Sequence, residues 1–402
     1  MLRSSVRLCL GVHPKNSFAV LSKHIITSLH SIPLDNAKHL ADRLLQGDRA
    51  CLARAITLLE STNTERRAEG QYILDTAIKY LAEQESTTGK YTFRIGLSGP
   101  PGAGKSTFIE AFGSRLTGSK SWNPIVNSSR QSYSSYKNTS ETERNLNEEV
   151  KRPRRVAVLA IDPSSQTTGG SLLADKTRMS ELANDLNAYI RPSPSGGNLG
   201  GVARTTSESI LLCEAAGFET ILIETVGVGQ SEFAAADMVD MFILIIPPAG
   251  GDELQGIKRG IVEVADLVLV NKADGELLPA ARRIASEYSN ALKYMRSRRQ
   301  NWTPKVKLVS SLNGDGLTEF WSTACEFHSS QIKSGELQRI RKEQLKIWMW
   351  TFIKEGLWCR FKNSPVIKEQ TKEIETLLFN REIAPGIAAE RLMDLYYKTF
   401  LR

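Results

Sequence analysis

The string Gly99-Pro100-Pro101-Gly102-Ala103-Gly104-Lys105-Ser106, followed by Thr107, limits what this chain can fold into more than any other feature. It fits the pattern G-x-x-x-x-G-K-[ST] without a mismatch. An apolar run, Phe93 to Ser98, leads into it, and a helical stretch, Phe108 to Leu116, leads out. Glycines at these spacings let consecutive backbone N–H groups point into one concave nest, which holds phosphate oxygens. Lys105 is then placed to reach β- and γ-phosphates, and Ser106 to offer its hydroxyl to Mg2+. Such a loop needs a strand behind it and a helix ahead of it, so the expectation is a layered α/β fold.

The rest of the chain agrees. Short apolar runs alternate with helical stretches from Phe93 onward, and the predicted strands are Phe93 to Ser98, Val156 to Ile161, Ala188 to Ile190, Thr220 to Glu224, Met241 to Ile246, Leu267 to Val270 and Val306 to Val309. Continuous apolar runs suit parallel strands buried on both faces, so the central sheet is expected to be mostly parallel. Helices flank this core on both sides in sequence. Leu40, Leu44 and Leu45, then Leu52, Ile56 and Leu59, then Ile73, Leu74, Ala77, Ile78 and Leu81 keep helical spacing, with Gly47-Asp48 as a stop and restart. Leu337, Ile340, Leu345, Trp348 and Phe352 suit one amphipathic helix near the C-terminus, and Ile374, Leu377 and Leu378 suit another. Pro385-Gly386 precedes a last helix through Leu392 and Leu395. Aromatic stripes are usually core, but three tryptophans in this stretch also suit an oligomer interface.

The expected organisation is therefore a leader at 1–34, a helical extension at 35–88, a phosphate-loop domain at 89–328 and a helical region at 329–402, which the resemblance described below makes a dimerisation region. Residues 1–34 hold four basic residues and no acid, which is the composition of a mitochondrial transit peptide and points to the matrix, the alternative being a disordered basic tail. Residues 118–155 hold eight Ser, five Asn and few aliphatics, and read as an insertion that buries too little to order itself. These two segments carry the whole formal charge of +8, so the body is balanced and a nucleic-acid partner is not expected. No apolar run approaches the roughly 20 residues of a spanning helix. Five cysteines without a C-x-x-C pair argue against a disulfide framework or structural zinc.

A second loop defines the base. Asn271-Lys272-Ala273-Asp274 follows the run Leu267 to Val270 and fits N-K-x-D. Asp274 can accept from both N1–H and the N2 amino group of guanine, and adenine offers neither. Ser310-Ser311-Leu312, after the next strand, matches the loop whose backbone N–H meets the purine O6. Asp162, Asp175 and Glu224 stand at or beyond strand ends, where an open α/β sheet places its ligand crevice. Together with Ser106 they are the candidate Mg2+ or water-positioning groups, and read singly each is a loop cap. Gly227 and Gly229 free a loop to move when the γ-phosphate leaves, and Gln230 is a candidate for orienting the attacking water. Lys105, Glu224 and Gln230 are the candidate catalytic residues.

The stretches GPPGAGKST, LAIDPSS, GGSLLADKTRM, YIRPSP, GGVARTT, ILIETVGVGQSE and PPAGGDELQGIKRGI resemble the methylmalonyl-CoA mutase-associated GTPases. These belong to the SIMIBI class of P-loop GTPases, with bacterial members and a mitochondrial methylmalonic aciduria type A branch. The resemblance runs from about Asp35 to about Phe327, with a weaker match beyond. It implies GTP hydrolysis to GDP that gates adenosylcobalamin transfer to the mutase and protects it, the cofactor residing on the partner. It also implies homodimers through C-terminal helices, Mg2+-site acids at Asp162, Asp175 and Glu224, a coupling lysine at Lys258, and the adenosyltransferase as a further partner. No aspartate precedes a histidine by two residues, so the D-x-H-x-x-G cobalamin motif is absent. Alternatives within the same fold class are a nickel-insertion GTPase, which scattered histidines disfavour, a kinase, and a scaffold that binds GTP without turnover.

Overall fold

A computed structural model describes residues 34–123, 152–161, 179–193, 199–225, 231–248, 259–295 and 297–400. Two compact units divide the chain, Met1–Thr92 with Glu208–Ile221, and Phe93–Ser207 with Leu222–Arg402. In the first, three helices α1 (Leu34–Leu45), α2 (Arg49–Glu60) and α3 (Thr64–Thr88) bury Leu40, Leu44, Leu52, Ile56, Leu59, Ile73 and Ala77. Asp48 caps α2 by accepting from Ala50 N (2.8 Å) and Cys51 N (3.1 Å), and Asn63 caps α3 in the same way. The buried stripe of α3 runs through Gly70, Ile73, Leu74 and Ala77. Ile78 lies one residue past that stripe and faces out, against expectation.

The second unit holds the sheet, except that Thr220 and Ile221 of one strand fall in the first unit. Its strands are β1 (Phe93–Ser98), β2 (Val156–Ile161), β3 (Ala188–Ser193), β4 (Thr220–Thr225), β5 (Met241–Ile246), β6 (Leu267–Val270) and β7 (Lys305–Leu308). They form one seven-stranded sheet in the order β3-β2-β4-β1-β5-β6-β7. β1–β5, β2–β3, β5–β6 and β6–β7 pair in parallel. Every residue of β1, β2, β4, β5 and β6 is buried, because helices cover both faces of a parallel sheet. The remaining helices are α4 (Lys105–Leu116), α5 (Ser180–Asn184), α6 (Leu199–Ala215), α7 (Ser231–Ala236), α8 (Arg259–Val264), α9 (Leu278–Lys293), α10 (Leu317–Lys333), α11 (Glu336–Asn363), α12 (Pro365–Phe379) and α13 (Pro385–Phe400).

Two strands differ from expectation at the sheet's edges. β3 continues past Ile190 through Arg191, Pro192 and Ser193, paired to β2 at Ala160↔Pro192. An edge strand tolerates proline because one side of its backbone has no ladder to supply. β7 sits one residue earlier than predicted and is half-buried throughout, so its lysines at 305 and 307 are tolerated.

The core that positions the phosphate loop lies between the sheet and helices α4 and α10. Ile95, Leu97, Val158, Ile243 and Leu269 pack there with Phe108, Phe112, Phe320, Trp321 and Phe327. Phe112 meets Phe320 and Trp321 edge to face, with centroids 5.0 and 5.3 Å apart. At the amino ends of the strands a buried polar clamp replaces apolar packing. Asp240, before β5, accepts from Arg94 N (3.0 Å) and from Arg341 Nε (3.0 Å) and its terminal nitrogen (2.8 Å). Arg299 donates to Asp240 O (2.6 Å) and to Asp266 Oδ1 (3.2 Å). α11 is thus seated by Leu337, Arg341, Gln344 and Trp348, whereas Leu345 points outward.

Candidate nucleotide-binding site

β1 delivers the phosphate loop to the carboxyl edge of the sheet. Gly99 has φ 153, and a Cβ there would lie 2.0 Å from Ile245 O, so only glycine lets β1 run this close to β5. Gly104 has φ 86 and ends the loop, and α4 begins at Lys105 with no side-chain cap. The first N–H groups of α4 therefore remain available to an anion, with the helix dipole favouring negative charge. Helix formation starts three residues earlier than the apolar pattern predicted, because Lys105 to Thr107 carry no apolar signal.

Lys105 is buried, and its Nζ donates to Gly99 O (2.6 Å) and Pro100 O (3.2 Å). Burial pulls its pKa below the usual lysine range, and the charges of Glu224 and Glu232 oppose that pull. Ser106 Oγ donates to Glu224 Oε1 (3.0 Å), so two candidate metal ligands meet. Glu224 is buried at the end of β4. The next residue, Thr225, donates from Oγ1 to Leu97 O (3.3 Å).

Glu232 is a carboxylate that sequence reasoning missed. It is 1 % exposed in the first turn of α7 and accepts from Ser98 Oγ (3.1 Å), the residue before Gly99. Its signal in the sequence was only its place two residues after Gln230, and a lone acid there looks like a helix N-terminal residue.

The base loop comes to the same edge. Asn271 is buried, and its Nδ2 donates to Ala103 O (2.9 Å) and Gly104 O (3.4 Å). Its Oδ1 accepts from Ser311 Oγ (2.7 Å) and Ser311 N (3.2 Å). One side chain thus ties the phosphate loop to the turn at Ser311. Lys272 takes φ 57, a left-handed conformation rare outside glycine. Asp274 accepts from Ser310 Oγ, which draws the N-K-x-D loop and the Ser310 to Leu312 turn together. Ser310 and Ser311 are buried, and Leu312 stands 82 % exposed. Asp162, Asp175, Gln230 and Lys258 lie outside the described residues. Among the described residues no cluster of three metal-ligating side chains occurs. A hydroxyl beside a carboxylate is a hard oxygen pair, which suits Mg2+ completed by phosphate oxygens and water.

A phosphate loop at the carboxyl edge, joined by Asn271 to an N-K-x-D loop, defines a P-loop GTPase. The family model described as "Methylmalonyl Co-A mutase-associated GTPase MeaB" matches residues 52–122 and 137–366, and the chain belongs to that family. It is 50% identical over 368 residues to the mouse "Methylmalonic aciduria type A homolog, mitochondrial", covering 90% of this chain and 81% of that protein. It is 41% identical over 307 residues to "GTPase ArgK" of Escherichia coli, covering 76% and 80%. The crystal structure of "LAO/AO transport system kinase" superposes with a TM-score of 0.63 at 31% identity, covering 91% of this chain and 99% of that one. The chain is accordingly a GTP-binding protein and a GTP hydrolase.

Proposed function

We propose that this GTPase is a metallocofactor chaperone: GTP binding and hydrolysis gate delivery of adenosylcobalamin to methylmalonyl-CoA mutase and protect the mutase. The family description and the mouse relative support the partner and a mitochondrial setting. The carrying observation in this chain is Asn271, 2.9 Å from Ala103 O and 2.7 Å from Ser311 Oγ. Through it, a change at the phosphates moves the purine loop as well.

In this reading Gly99 to Thr107 hold the phosphates, and Asn271, Lys272, Asp274 and Ser310 to Leu312 frame the guanine. Lys105 exchanges its two carbonyl partners for β- and γ-phosphate oxygens. That exchange gives up hydrogen bonds within the protein only when the triphosphate supplies stronger charged ones. Ser106 and Glu224, with Asp162 and Asp175, would hold Mg2+, which would neutralise charge on the phosphate oxygens. Gln230 orients the attacking water. Lys258 couples the partner to turnover.

Residues 1–34 address the chain to the mitochondrial matrix and are removed. Residues 35–88 form a helical extension, 89–328 the GTPase domain with its 118–155 insertion, and 329–402 a dimerisation region. Trp350 and Trp358 are 57 % and 56 % exposed on α11, beside exposed Met349 and Leu357, which favours a second copy as their cover. The adenosyltransferase is the source of the cofactor, which rides on the partners and not on this chain. The test is GTP turnover by the mature chain with and without the mutase. Acceleration by the mutase is expected, and an unchanged rate overturns the chaperone reading.

A further inference from the structure

The turn that reads the purine is fastened from outside the nucleotide crevice. Residues 310–315 fold back on themselves: Ser310 N donates to Asp315 O (2.9 Å) and Gly314 N to Ser310 O (2.8 Å). Asn313 N donates to Ser310 Oγ (3.1 Å). The tip has no packing of its own, since Leu312 projects outward. Its height above the crevice must therefore come from contacts on its far side.

Two side chains supply them. Arg115, in the last turn of α4, is only 8 % exposed and donates to Ala111 O (2.8 Å), while its Nε has no hydrogen-bond partner. Its guanidinium lies directly under the turn, because a Cβ on Gly314 would fall 2.0 Å from one of its terminal nitrogens. Asn123 grips the other side: its Nδ2 donates to Asn313 O (3.1 Å) and Asp315 Oδ1 (3.4 Å). Asn123 is itself held. Its carbonyl accepts from Thr318 Oγ1 (2.6 Å) in α10, and the neighbouring Trp122 meets Phe112 edge to face at 6.2 Å. The family match ends at residue 122 and resumes at 137, so Asn123 falls just beyond the shared pattern.

We infer that Arg115 and Asn123 are positioning residues for purine recognition, holding the 310–314 turn where its backbone N–H meets the 6-oxo group of the base. The inference rests on the reading of Ser310 to Leu312 as the purine loop. A backbone donor displaced by about 1 Å no longer makes a hydrogen bond of useful strength, so seating the turn is part of specificity. The contact to the 6-oxo group is separate from the reading of N1–H and the N2 amino group by Asp274. Ser310 stays anchored through Val309 N, which donates to Val270 O (2.9 Å), so loosening the tip spares Asp274.

The test uses the full mature chain with Asn123→Ala, and Arg115→Lys as a second variant that keeps the charge. Steady-state constants are measured with GTP, with inosine triphosphate, which lacks the N2 amino group, and with 6-thioguanosine triphosphate, whose sulfur is a poor acceptor. For Asn123→Ala the KM for GTP rises about five-fold, the scale of one lost hydrogen bond, and for Arg115→Lys, which withdraws the planar group from under Gly314, it rises in the same direction. The preference for GTP over the 6-thio analogue shrinks by the same factor. The preference over inosine triphosphate and kcat at saturation stay as in wild type. A variant that keeps the full wild-type preference for the 6-oxo group overturns the inference, as does an equal loss with all three nucleotides. If wild type itself distinguishes neither analogue, it is the purine-loop reading that fails.

Discussion

Replacing Asp240 with Asn should destabilise the sheet-bearing unit strongly and blunt its response to acid. Burial alone would raise the pKa of Asp240, but the charge and hydrogen bonds of Arg341, with Arg94 and His328, hold it at about 2 against an ordinary 3.8. A folded pKa below the unfolded one means stability present above about pH 4 and lost as pH falls toward 2. At 1.36 kcal/mol per pH unit, this difference is worth about 2 kcal/mol. Asp240→Asn also leaves Arg341 buried beside a neutral group, and breaking a buried pair in this way costs about 3–5 kcal/mol. The assay is urea unfolding followed by tryptophan fluorescence at pH 7 and pH 3, for wild type and variant. The variant is expected to unfold at lower urea at pH 7 and to lose about 1 kcal/mol less than wild type between the two pH values, since the rest of the difference is lost only below pH 3. Asp240→Leu with Arg341→Met, which removes both charges, should recover part of the loss, because Arg94 N is left without its acceptor. A variant as stable as wild type, or one with the same acid response, refutes the assignment of Asp240 as the seat of α11.

Two further outcomes follow from the same geometry. Gly104→Ala would set a Cβ 2.6 Å from Asn271 Nδ2 at φ 86, so nucleotide affinity should fall by roughly ten-fold or more in a fluorescent GDP titration. Wild type is expected to sediment as the proposed dimer and Trp350→Ser combined with Trp358→Ser as a monomer, with GTP turnover retained; equal sedimentation of the two refutes the interface.

Much of the fold was legible because its signals are local. Glycine spacing, a lysine and a preceding apolar run wrote the phosphate loop into eight residues, and buried parallel strands wrote themselves as Val156 to Ile161 and Met241 to Ile246. What escaped depends on partners far away in sequence. Arg341 and Gln344 lie on the buried stripe of α11 only because Asp240 and Val239 O await them, so a hydrophobic pattern placed Leu345 there instead. Pro192 hid the end of β3, since proline is harmless only on an edge and edges are not marked in sequence. Within the site, N-K-x-D located Asn271, but its bonds to Ala103 O and Ser311 appear only in three dimensions. Glu232 closes the stretch ILIETVGVGQSE without a pattern that gives it a role, and burial against Ser98 is what singles it out.

In the proposed site Asp274 reads the guanine edge while the phosphate loop holds the other end of the nucleotide. Calorimetry of wild type and Asp274→Asn with GTP and xanthosine triphosphate tests it, because xanthine carries a 2-oxo group where guanine has an amino group. An asparagine amide donates to that oxygen, whereas a carboxylate repels it. Wild type should bind GTP and reject xanthosine triphosphate, and Asp274→Asn should reverse the order. Equal affinity for both nucleotides in both proteins would contradict the account.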